Sequence, residues 1–119
     1  MAIAVFAAPV PPDKVALHSE MLDELRGPRR AQFEALHRQA GVHERGFIQP
    51  TPDGGYLYLT IFEGEGDANA LLQRLLQADE ADADFSQWFF PRLQEVHGID
   101  ISGGMPSMPE QVLDSGQPE

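Results

Sequence analysis

The sequence predicts an α+β domain with the element order β, α, β, β, α, α, β. Three observations carry that reading. A turn signature, Thr51-Pro52-Asp53-Gly54-Gly55, separates two strand-like stretches, Val42 to Thr51 and Gly55 to Phe62. Apolar residues recur at helical spacing on both sides of that hairpin, and Phe85, Phe89, Leu93 and Val96 step by four, four and three residues along one helical face. Short apolar runs suited to strands stand at Ile3 to Ala8 and at Ile99 to Ile101.

The first strand is bounded by Pro9, Pro11 and Pro12, which mark a turn, and Asp13 is placed to cap the helical region that follows. Val15, Leu22, Leu25, Phe33, Leu36 and Ala40 form the apolar face of that region. One straight helix to Ala40 would run about 40 Å, roughly double a six-residue strand, so a break is expected. Gly27-Pro28 is the place for it, because proline disfavours helical geometry in the residue before it and suits the first position of a new helix.

In the hairpin, a tight Asp53-Gly54 loop sets Thr51 opposite Tyr56, Gln49 opposite Tyr58, Ile48 opposite Leu59, Phe47 opposite Thr60 and Arg45 opposite Phe62. That register predicts a core face of Ile48, Leu57, Leu59 and Ile61 against the helices. The other face then collects His43, Arg45, Phe47, Gln49, Tyr56, Tyr58, Thr60 and Phe62. Asp67 caps a further helix carrying Leu71, Leu72, Leu75 and Leu76, and the acidic stretch Asp79 to Asp84 reads as a solvated loop. Asp84 and Gly98 are the expected N-cap and C′ residues of the last helix. Residues 1–101 form the predicted domain. Residues 102–119 form a tail rich in Gly, Pro and Ser, expected to dock through Met105, Met108, Val112 and Leu113.

Composition narrows the function classes. The 119 residues suffice for one domain with its own core, and the absence of cysteine excludes a disulfide scaffold and a cysteine nucleophile. Eight basic against nineteen acidic residues give a net charge of −11, which repels nucleic acid and anionic membranes, so neither is an expected partner. The apolar N-terminal stretch lacks a positive region and no run is long enough to span a membrane, which predicts a cytoplasmic soluble protein. His18, His37, His43 and His97 lack metal-ligand spacing, Glu63-Gly64-Glu65-Gly66-Asp67 is too acidic to cradle phosphate, and no nucleophile elbow or dinucleotide fingerprint is present. No metal and no cofactor are therefore expected. Lys14 is the single lysine, which argues against Schiff-base chemistry.

With Thr51-Pro52-Asp53-Gly54, Phe85, Trp88 and Phe89, and His97-Gly98-Ile99-Asp100 on the page, the chain resembles the dimeric α/β-barrel superfamily, in particular a bacterial group with those motifs. The resemblance covers residues 1–101 and implies a ferredoxin-like split βαβ fold with an extra helix before the last strand, pairing as a homodimer through its sheets. It also implies a small-molecule pocket, since the superfamily includes cofactor-independent monooxygenases, isomerases, cyclases and haem-degrading enzymes. A haem role would need a strand histidine, and His43 is the one candidate. Phe90-Pro91 and Gly46-Phe47 depart from the group's pattern, implying a kinked or late-starting last helix and an altered pocket wall.

Two functions stand side by side. In the first, a cofactor-independent enzyme acts on an aromatic or enolisable substrate, with Arg45 clamping an anion, Tyr58 donating to an oxyanion and His43 exchanging a proton. Phe47, Gln49, Tyr56, Thr60, Phe62 and Trp88 would then line the ligand site. In the second, the same face holds a dimer together without catalysis. For Trp88 core packing is the stronger reading, and for His97 helix capping.

Overall fold

The computed structural model describes residues 2–99 and 109–116. Strands β1 (Ala2–Val10), β2 (Val42–Pro50) and β3 (Tyr56–Gly64) form one antiparallel sheet in the order β1-β3-β2. β3 is antiparallel to both neighbours, so β1 and β2 run parallel with β3 between them. Two helices, α1 (Val15–Arg26) and α2 (Arg30–Ala40), connect β1 to β2, and α3 (Ala68–Ala81) and α4 (Ala83–His97) follow β3. The α+β class is the predicted one.

Local chemistry explains the boundaries. The long helical region breaks at Gly27-Pro28, with the Arg29 amide returning to Glu24 O at 2.8 Å. Pro28 sits within the turn rather than opening α2, which starts at Arg30. Asp13 lies inside a 3₁₀ turn, Pro12–Lys14, and α1 carries no side-chain cap. Asp67 does cap α3, accepting from the Ala70 amide at 2.8 Å. The cap of α4 is Asp82, two residues earlier than Asp84, and it accepts from the Phe85 amide at 3.1 Å. Gly98 closes α4 at φ 70°, a left-handed conformation that favours glycine. α4 starts at Ala83 and continues through Pro91, so no late start is seen. The expected closing strand is not formed at Ile99, and its remaining residues 100–101 lie outside the described residues.

The hairpin register differs from the expected one by a single residue. Pro50 pairs with Tyr56, Ile48 with Tyr58, Gly46 with Thr60 and Glu44 with Phe62. The cause is the loop: Thr51 N bonds Gly55 O at 3.1 Å, which leaves Pro52, Asp53 and Gly54 as a three-residue turn. Asp53 Oδ1 pins it by accepting from Thr51 Oγ1 at 2.6 Å and Gly55 N at 3.0 Å, and Gly54 takes φ 91°. Moving the register by one residue leaves β2 as expected, with Ile48 towards the helices and His43, Arg45, Phe47 and Gln49 away from them, and turns every β3 side chain to the face opposite the expected one. Tyr56, Tyr58, Thr60 and Phe62 therefore face the helices with Val42, Glu44, Gly46 and Ile48, whereas Leu57, Leu59 and Ile61 lie on the outer face.

Two clusters make up the core. Leu71 and Phe85 are packed with Ala4, Leu36, Ala40, Val42, Leu72 and Leu75, and a smaller cluster joins Val10, Met21 and Val96. Trp88 and Phe89 touch both clusters and tie the helical layer together. Burying each large apolar side chain contributes about 1.5–3 kcal/mol. The tail does not add to this core at its described apolar residues, for Val112 and Leu113 are 86% and 85% exposed. Met105 and Met108 lie outside the described residues.

Candidate functional site

The register divides the residues expected to share one site. His43, Arg45, Phe47 and Gln49 lie on the outer face with Leu57, Leu59 and Ile61, and Arg45 forms an ion pair with Glu63. Tyr56, Tyr58, Thr60 and Phe62 lie on the helix side. The sheet itself therefore separates His43 and Arg45 from Tyr58.

Between sheet and helices is a partly open cavity of about 150 Å³. Its walls are chiefly aromatic and aliphatic, with Phe6, Phe33, Phe62, Phe85, Phe89 and Leu75 among them. Tyr58, Thr60, His37, Glu44, Asp79 and His97 supply the polar lining, and neither lysine nor arginine contributes.

His37 is tied at both nitrogens. Nδ1 lies 2.8 Å from Phe33 O and Nε2 lies 2.7 Å from Glu44 Oε1. A carbonyl and a carboxylate both accept, so the two bonds call for a proton on each ring nitrogen. Burial opposes that charge, but the hydrogen bond and charge of Glu44 outweigh it and raise the His37 pKa above its ordinary value. Among the described residues Asp79 has no such partner. It is 7% exposed, and its Oδ1 is buried without a hydrogen bond. Burial is the main cause that pushes its carboxyl up to about 7, with His37 opposing and Glu44 reinforcing the shift. Tyr58 is pushed up to about 12, again chiefly by burial, so its hydroxyl stays protonated and can donate.

A groove of about 330 Å³ lies outside the cavity, lined by Leu22, Leu25, Arg26, Gly46 and Ile48. Tyr58, Glu44 and Phe33 line both spaces and form the wall between them. The chain matches no family model, curated protein or solved structure.

Three further groups lie nearby. The Tyr56 hydroxyl and His18 Nδ1 are 2.6 Å apart, and burial foremost, then the His97 charge, lowers His18 to about 4. Neutral His18 thus accepts from Tyr56. His97 Nδ1 donates to Pro9 O at 3.0 Å, joining α4 to β1 rather than capping its own helix. Trp88 is absent from the cavity lining. The Arg29 and Arg92 guanidinium groups both lie over its ring, with their central carbons 4.6 and 5.5 Å from its centre, which fits its structural role.

His43, the strand histidine a haem reading requires, is on the outer face, and the inner cavity is too small for a haem macrocycle. Among the described residues no group of three or more His, Asp or Glu side chains is placed to hold a metal ion.

The sequence reading missed His37, Glu44 and Asp79 as a site. Asp79 follows Leu71 by eight residues and Leu75 by four, so it continues the buried stripe of α3 rather than starting a loop. Glu44 alternates with Val42 on one side of β2, a signal that becomes readable only once the register is known.

Proposed function

We propose that this chain is a small-molecule-binding domain whose ligand occupies the cavity between sheet and helices. The observation that carries the reading is Asp79: a buried carboxyl whose Oδ1 has no hydrogen-bond partner among the described residues, in the wall of a largely apolar cavity. Such a group costs stability unless something is there to meet it. A pocket with apolar walls and a few converging polar groups is the usual form of a ligand site.

The split arrangement of β1, β3 and β2, with helices between the parallel strands, supports the ferredoxin-like reading. The outer face supports pairing as a homodimeric barrel, because Ile3, Val5 and Phe47 are exposed there beside Leu57, Leu59 and Ile61. An aromatic or enolisable substrate turned over without cofactor is supported by Asp79, whose near-neutral carboxyl can take up a proton at neutral pH, and by Tyr58, which can donate. A cytoplasmic setting agrees with the absence of cysteine.

The second reading, a dimerisation module without a ligand, is favoured by the same outer face. Methyl NMR of Leu72, Leu75 and Leu76 during titration with small cyclic probes separates the two. Shifts confined to these methyls support the ligand site, and no shifts with any probe support the module.

A further inference from the structure

The cavity's charges specify its occupant more narrowly. The Glu44 carboxylate is matched by His37 at 2.7 Å, and burial holds His97 below its ordinary pKa, on the neutral side at neutral pH. Ionised Asp79 thus leaves one negative charge without a counterpart, and the lining holds no lysine or arginine to supply it. A carboxylate or phosphate ligand would add to that imbalance. The net charge of −11 acts in the same direction on approach.

Size adds the second limit. An apolar cavity of about 150 Å³ accommodates a benzene ring and little more. Resting on the ligand-site reading above, we infer that the cavity binds a compact hydrophobic monocation, a primary ammonium on a body the size of one six-membered ring, with its N–H groups on the Asp79 carboxyl. The ammonium would supply the missing charge, while the ring would fill the space between the phenylalanines. Binding would draw the Asp79 carboxyl back towards its ionised form, because an adjacent cation favours the charged state.

Isothermal titration at pH 8 of the full chain with cyclohexylammonium, cyclohexanol and cyclohexanecarboxylate tests this. The wild type should bind cyclohexylammonium at least about tenfold more tightly than cyclohexanol and should not bind the carboxylate. Asp79→Asn should keep the cyclohexanol affinity and lose the preference for the cation. Equal affinities for alcohol and ammonium in the wild type, or a preference that survives Asp79→Asn, would overturn the monocation while leaving the cavity as a ligand site. The wild-type comparison decides even where the variant folds poorly. No binding of any of the three probes would overturn both this inference and the ligand-site reading.

Discussion

The Tyr58 hydroxyl occupies the space that a side chain at residue 46 would fill. Built onto Gly46, a Cβ would collide with the hydroxyl and with the ring carbons behind it. Gly46 and Thr60 are paired, so the glycine sits diagonally beside Tyr58 across the β2–β3 ladder. The small residue is what lets Tyr58 lie flat in the wall between cavity and groove. Gly46→Ala should therefore push Tyr58 from its place, at about 1–3 kcal/mol of stability. Combining it with Tyr58→Phe should recover part of that loss, a coupling that chemical denaturation of the four variants in a double-mutant cycle measures.

Asp79 sets a pH dependence with a definite sign. Its folded-state pKa is raised from 3.8 to about 7, so between those values the folded chain holds a proton that the unfolded chain has released. The resulting penalty is absent below the lower value, grows across the interval and is complete above the upper one. Asp79→Asn should then match the wild type near pH 4 and exceed it above pH 7 by a few kcal/mol, to order of magnitude.

His37 works alongside Asp79 and is present in both proteins. Its raised pKa contributes stability that is complete below the ordinary histidine value and is lost as pH rises through the folded value. His18 and His97, both lowered, act the other way: their contribution is present above the ordinary value and lost as pH falls. Denaturant midpoints of wild type and Asp79→Asn across this range report the aspartate together with its coupling to His37, while the contributions of His18 and His97 are common to both.

Trp88 joins the two core clusters and is in contact with two guanidinium groups. Trp88→Ala should cost about 3–5 kcal/mol, visible as a large drop in melting temperature. Ligand affinity in the fraction that remains folded should change little, because the indole does not line the cavity.

How far the sequence could be read depended on parity. The helices were legible because Leu71, Leu72 and Leu75, or Phe85 and Val96, mark a buried face over many residues, and one misplaced cap moves a boundary without moving the face. The sheet faces were not, because a two-residue and a three-residue turn have nearly the same sequence here and opposite consequences. Apolar residues could not arbitrate. β3 alternates Tyr, Thr and Phe on one side with Leu and Ile on the other, so either side can serve as a core face. Asp79 was hidden for a different reason: it stands at the head of an acidic run whose Glu80 and Asp84 face solvent, whereas Asp79 does not.

The outer face supplies a prediction about assembly. Phe47 is 49% exposed beside a row of aliphatic residues, and a symmetric homodimer would cover it. Light scattering should give twice the 13.1 kDa chain mass. Phe47→Asp should return the mass of one chain, because a charge placed in each copy's half of the contact would meet its own image.

The ionisation of Asp79 itself tests the central claim, that a buried carboxyl without a counter-charge of its own lies in the wall of a largely apolar cavity. Carbon-detected NMR can follow the Asp79 carboxyl against pH in the ligand-free protein. The account predicts a midpoint near 7, set by burial. A midpoint in the ordinary carboxylate range would mean that water or a hydrogen-bond donor reaches the group, and it would contradict the account.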